Sequence, residues 1–267
     1  TLGEGGHTKA MLDLNLEVHG FERDKNILEV AKKRLSNYKK FHYYNNTYDK
    51  MAESLPENII GNADFMLYDL GVSMFHFKKA KRGFSFNEDN KLDMRLGINE
   101  KNAYQVINEY GKKDLERIFK DYGEIKNPSK LADAIIKERE KKNIETAKEL
   151  ENIIFHNSDK SKKYGRINPA TLIFQAVRIE VNDELNILKK SIENIKNILK
   201  KYGVIVIISY HSLEDRIVKR FFKENEKTKN KDGIFRLLNS KVLTPTIEEI
   251  KLNPASRSAK MRAAQLL

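Results

Sequence analysis

The residues best suited to chemistry stand first in the chain, in Thr1–Asp24, TLGEGGHTKAMLDLNLEVHGFERD. Gly3, Gly5 and Gly6 remove three side chains within four positions, so the backbone can turn tightly there and approach a ligand closely. Thr8–Leu12 is expected to start a helix whose free N–H groups face that ligand. Val18–Phe21 reads as the next strand, with Glu22 at its C-terminal end. In open α/β sheets the ligand lies outside the carboxyl ends of the strands, and an acidic residue there can hold both ribose hydroxyls. The stretch therefore reads as the front half of a nucleoside-cofactor site. It lacks the last glycine of the dinucleotide fingerprint. The Glu4 carboxylate inside the loop suits a cationic sulfonium better than a pyrophosphate, which favours S-adenosylmethionine over NAD. A glycine cluster alone also fits a plain turn.

Other polar residues stand where strands are expected to end. Tyr48 follows the short strand Phe41–Tyr44 and could stack on an adenine ring or serve the core. Asp69 closes the apolar run Phe65–Tyr68, beside the expected reactive end of the cofactor. Lys78–Lys91 interleaves Lys79, Lys81 and Arg82 with Phe84 and Phe86, a pattern suited to an unstacked nucleic-acid strand.

The elements that must position these residues alternate strand and helix over the first 70 residues, a parallel α/β pattern. Apolar spacing predicts a helix over Asn26–Tyr38. A wholly helical region follows Arg95, with helices expected at Ala103–Tyr110, Lys113–Asp121, Ser129–Glu140 and Thr146–His156. It reads as a domain inserted between the fourth and fifth strands, and the charged loop Ser158–Arg166 marks a domain crossing. Two helices fill Asn168–Lys200. Val204–Ile208 is apolar and β-branched, as expected of a central strand covered on both faces. Ser209–Arg216 is its polar exit, before a helix at Ile217–Lys223; Ile234–Val242 and Lys260–Leu267 supply the last strands. The expected organisation is a methyltransferase domain in two parts, 1–98 and 167–267, around a helical substrate-recognition domain, 99–166.

The 267 residues suffice for one large domain or two modest ones. Without cysteine, disulfides and thiolate metal sites are excluded, which suits a reducing cytosol. No apolar run approaches the roughly 20 residues of a membrane span, and no signal peptide is visible. A glycine loop so near Thr1 lacks the preceding strand it should hang from, so an N-terminal segment is expected to be missing. A net charge of +12 points to a polyanionic partner, most often nucleic acid, with plain solvation of a lysine-rich surface as the alternative. No metal-ligand cluster is apparent in the sequence.

TLGEGGHT at the start, DLGVS at 69–73, RGFSF at 82–86, LDMR at 92–95, NPATLIFQAVRIEVNDEL at 168–185, SYHSLEDRIVKRF at 209–221 and NPASRSAKMR at 253–262 together resemble the MraW family. The resemblance spans nearly the whole chain, in the family's order. It implies a class I, Rossmann-like α/β fold with an inserted all-helical domain. It also implies S-adenosylmethionine as cofactor and, as substrate, the exocyclic N4 of one cytidine in the decoding region of small-subunit (16S) ribosomal RNA. No obligate protein partner is inferred. The family's cofactor contacts carry over to Gly5, Gly6, His7, Glu22, Tyr48, Asp69 and His76. Glu22 stands where the family usually has Asp, Tyr48 where it has Phe, and His76 where it has Gln. The loop Asp69–Ser73 lacks the proline pair that many amino-methyltransferases carry there. Asp93, in an apolar setting, and His211, at the end of the fifth strand, are the candidates for groups beside the acceptor base. The structural alternatives are an Asp93–Arg95 pair or backbone cap, and a hydrogen-bonding strand-end role for His211. Arg82, Arg95, Arg166, Arg178, Arg257 and Arg262 are candidate phosphate contacts. A DNA methyltransferase and a catalytically inert RNA clamp are the competing readings, with an NAD dehydrogenase more remote.

Overall fold

A computed structural model describes residues 1–78, 80–86, 89–97, 99–158 and 168–267. Lys79, Arg166 and most of the Ser158–Arg166 loop, where a domain crossing is expected, lie outside the described residues. The chain forms two compact units, Thr1–Gly71 with Leu185–Leu267, and Val72–Glu184.

The first unit carries six strands among the described residues: β1 Val18–Phe21, β2 Phe41–Tyr44, β3 Ala63–Asp69, β4 Leu199–Ser209, β5 Phe235–Leu237 and β6 Lys260–Leu266. β1 pairs with β2 in parallel, and a four-stranded sheet runs β3-β4-β6-β5. β3 and β4 are parallel, whereas β6 is antiparallel to both of its neighbours. The sheet is thus mixed. β4 is central, as its β-branched run suggests. Its Ile205 and Ile207 are fully buried, while Val204, Val206 and Ile208 are only half-buried, so one face is covered less completely than the sequence suggests. Met66, Tyr68, Leu188, Ile192, Phe222 and Phe235 complete the core on this sheet.

The helix Gly6–Asp13 follows the glycine loop, and Lys25–Arg34 is capped by Asp24, whose side chain accepts the Asn26 N–H at 2.9 Å. After β4 the helix begins at Ser212 rather than Ile217. Its N-cap is His211, and Glu214 reaches back to the His211 N–H, a capping box that extends the helix by more than a turn.

The second unit is helical, with Met74–Lys78, Ala103–Glu109, Lys112–Asp121, Ser129–Arg139, Ala147–Asn157 and Pro169–Asn182. Asn102 with Gln105 and Thr146 with Glu149 form capping boxes at two of the helix starts. Ile107, Leu115, Ile118, Phe119, Ile135, Leu150 and Ile173 are fully buried in one core. The unit is larger than the 99–166 expected from sequence, because both flanks are tied into it. On the N-terminal flank, Asp93 and Met94 both donate backbone N–H bonds to the Arg82 carbonyl. On the C-terminal flank, the buried Asn182 amide takes the Leu96 N–H at 2.8 Å and gives a bond to the Met94 carbonyl at 2.7 Å.

Candidate active site

The glycine loop is a tight turn held at both ends. Leu2 donates to the Phe21 carbonyl at 2.9 Å, and Gly5 donates to the Leu2 carbonyl at 3.0 Å. Gly5 caps the first helix with φ +82°, a left-handed conformation that L side chains disfavour. A Cβ there would also come 3.0 Å from Leu35 Cδ1. At Gly6 a Cβ would meet nothing within 4 Å, so the start of the helix faces open space.

Glu22, one residue beyond β1, is fixed by the backbone. Its Oε2 accepts the Gly3 N–H at 3.1 Å and its Oε1 the Asp24 N–H at 2.8 Å. The two bonds orient the carboxylate at the turn. Tyr48 follows β2, its ring edge-on to Tyr68 at 5.4 Å, and its carbonyl accepts the Ser191 hydroxyl at 3.1 Å.

Asp69 ends β3. Its N–H donates to Thr1 Oγ1 at 2.7 Å, and its Oδ1 accepts the Tyr210 hydroxyl at 2.8 Å. Oδ2 lies 3.5 Å from Nδ1 of His7, a residue that is 56% exposed against 31% for Asp69. Burial, then the neighbouring Asp69 charge, push the Tyr210 phenol well above its ordinary range, so it stays a hydrogen-bond donor. The sequence reading overlooks Tyr210, although a hydroxyl just past the most strand-like run of the chain is a signal of the same kind as Asp69.

Gly5, Gly6, His7, Glu22, Tyr48 and Asp69 all lie in the first unit. His76 lies in the second, buried in the helix Met74–Lys78 with its ring 5.1 Å from that of Phe84.

The two acceptor-side candidates are both engaged. Arg95 holds Asp93 bidentately, Nε to Oδ1 at 2.8 Å and Nη2 to Oδ2 at 2.9 Å, and its N–H adds a third bond. Burial works to raise the Asp93 carboxyl, but the Arg95 bonds and the nearby Arg82 charge outweigh it and leave the group below its ordinary value. Such a carboxylate is a weak base. His211 is 9% exposed; its Nδ1 accepts the Glu214 N–H at 3.4 Å, and its Nε2 lies 3.3 Å from Glu214 Oε1 without hydrogen-bond alignment.

A cavity of about 280 Å³ opens beside this helix start, lined by Tyr210, His211, Ser212, Arg257 and Lys260 among others. Of the described candidate arginines, Arg257 alone is exposed. Arg178 is paired with Glu184 at 2.8 and 2.9 Å, Arg262 with Asp215 at 2.7 Å, and Arg82 donates to the Arg95 carbonyl at 2.9 Å.

A Rossmann-like sheet, a glycine loop and acidic residues ending β1 and β3 define the class I methyltransferase fold. A profile of the MraW methylase family matches residues 1–267, and the chain belongs to that family. It is 74% identical over 265 residues to ribosomal RNA small subunit methyltransferase H of Brachyspira hyodysenteriae, covering 99% of this chain and 88% of that protein. The proteins of the same name from a Sulfurihydrogenibium species and from Borreliella burgdorferi are 42% and 43% identical. These alignments cover 99% and 100% of this chain, and 90% and 89% of the two relatives. No helix among the described residues is long and apolar enough to cross a membrane.

Proposed function

We propose that the chain is an S-adenosylmethionine-dependent methyltransferase of the cytoplasm that modifies the exocyclic N4 of a cytidine in the decoding region of small-subunit (16S) ribosomal RNA. The observation that carries this reading is the pair Glu22 and Asp69. Each carboxylate is held by its own hydrogen bonds at the end of a parallel strand, in one unit with an open glycine loop. The names of the relatives support the ribosomal substrate.

Bound S-adenosylmethionine would supply the methyl group as an electrophilic sulfonium substituent. Gly5, Gly6 and His7 would present backbone to it, Glu22 would accept from ribose hydroxyls, Tyr48 would border the adenine, and Asp69 would hold the cationic amino-acid end. His76 completes the set carried over from the family. The space at Gly6 leaves room for a ligand at the loop.

Cytosine N4 is a weak nucleophile because its lone pair is delocalised into the ring, so placement supplies most of the help. Asp93 and His211 are the proposed acceptor-side residues. Their contacts suit them to holding backbone and base rather than to carrying a proton, with Asp93 ionised against Arg95 and His211 bound to Glu214. Arg257 and Lys260 line the cavity beside His211 and suit an RNA phosphate.

The test is transfer from labelled S-adenosylmethionine to small subunits lacking their native methylations, with the product nucleoside identified by mass spectrometry. N4-methylcytidine that disappears with Asp69→Ala supports the reading. Cofactor binding without transfer to subunits, precursor particles or naked ribosomal RNA overturns it.

A further inference from the structure

Away from these residues, β1 and β2 carry a second cluster. The two strands are parallel, with His19 directly opposite His42. Their rings stack with centroids 4.6 Å apart and 17° between planes. Glu17, just before β1, reaches both: its Oε1 lies 3.4 Å from His19 Nε2 and 3.0 Å from His42 Nε2. All three ligand atoms fall within 4.8 Å of one another.

The protonation of His19 is the informative point. Its Nδ1 is 3.0 Å from the Tyr44 hydroxyl, and its Nε2 is buried without a hydrogen bond. When Nδ1–H donates to an oxygen, Nε2 presents a lone pair, the arrangement in which histidine binds a metal and an outer oxygen orients the ring. That lone pair would face the Glu17 carboxylate, a repulsive contact unless a positive centre lies between them.

We propose that Glu17, His19 and His42 form a binding site for a divalent transition-metal cation of the zinc type, with water completing the coordination. Two imidazoles and one carboxylate are a donor set for Zn²⁺, Co²⁺ or Ni²⁺ rather than for Mg²⁺ or Ca²⁺. His42 and Glu17 are 45% and 55% exposed, so the ion can enter from solvent and both side chains can swing inward to coordination distance. The metal would tie β1 to β2 at one face of their two-stranded sheet. The sequence gives no hint of it, because the two histidines stand far apart and meet only through the parallel register. The site does not rest on the proposed methyl transfer.

The test uses the tag-free full chain. Zn²⁺ is titrated in competition with a chromogenic chelator, and Co²⁺ binding is followed by its visible ligand-field bands. One equivalent should bind, with intense tetrahedral-type cobalt bands and a raised melting temperature. His42→Ala, a change at an exposed side chain, should weaken uptake about tenfold or more and abolish the bands, and Glu17→Gln should weaken it as well. Asp69→Ala should leave uptake unchanged. Equal Zn²⁺ binding by the parent and both cluster variants, or cobalt spectra of the aquo ion alone, would overturn the site and leave a histidine pair sharing one carboxylate.

Discussion

The Tyr210 hydroxyl donates to Asp69 Oδ1 at 2.8 Å, joining the ends of the parallel strands β3 and β4 by one side-chain bond. A hydrogen bond to a charged group contributes about 1.5–3 kcal/mol. Tyr210→Phe removes it while keeping the ring. Affinity for S-adenosylmethionine, measured by calorimetry, should fall about tenfold, and the melting temperature should fall by about 2–4 °C per kcal/mol lost. Unchanged affinity would show that Asp69 needs no such support.

Glu22 accepts two backbone N–H bonds that fix its carboxylate at the glycine turn. Glu22→Ala should therefore weaken cofactor binding by about tenfold or more and loosen the turn at Gly3. Glu22→Asp should retain part of the affinity, and a variant that binds as tightly as the parent would remove Glu22 from the site.

Gly5 combines φ +82° with a 3.0 Å approach to Leu35 Cδ1. Gly5→Ala should cost about 1–2 kcal/mol from the left-handed backbone alone. For a chain of this size that lowers the melting temperature by about 2–4 °C per kcal/mol. Calorimetry showing no loss would mean that the loop relaxes out of this turn.

The lowered Asp93 carboxyl gives a pH dependence with a definite sign. Burial opposes its ionisation, and the Arg95 bonds more than offset that. The unfolded chain binds this proton more readily than the folded one, so the pair stabilises fully above the ordinary value of 3.8. That contribution is lost as pH falls below 3.8 through the folded value. Asp215, lowered by Arg262 against its own burial, acts in the same direction. Asp93→Asn should lower stability near neutrality and flatten the acid limb of a urea-unfolding series. An acid limb of unchanged steepness would contradict this.

Arg257 is exposed and borders the cavity beside His211. Arg257→Ala should leave the fold intact, weaken RNA binding, and reduce the slope of log K against log salt by about 0.7–0.9. A slope equal to that of the parent would place Arg257 outside the RNA contact.

The helical region was readable to within a residue or two because its signals are local. Val106, Ile107, Leu115, Ile118 and Phe119 recur at helical spacing, and Asn102 and Thr146 are ordinary caps. The helix after β4 starts five residues before the expected Ile217, because histidine is an uncommon cap. Glu22 and Asp69 were readable because each ends a recognisable strand. What each of them touches was not, since Tyr210 meets Asp69 across 141 positions and no periodicity reports such a meeting. Asp93 and Arg95 stand two positions apart, so their pairing is a local signal as well. The wider reach of the helical unit depends on Asn182, whose bonds to Met94 and Leu96 are invisible to any short window.

The division of the chain also sets an order of events during synthesis. Residues 72–184 form one uninterrupted stretch, whereas the other unit is assembled from both ends of the sequence. The helical part is therefore complete, and free to fold, before β4 has been made. β3 meanwhile waits without the strand it pairs with, its ladder groups open to other chains. A nascent chain arrested after Glu184 would thus carry a finished helical unit joined to a half-sheet prone to aggregation, and the Asp69–Tyr210 bond would form only once β4 has emerged.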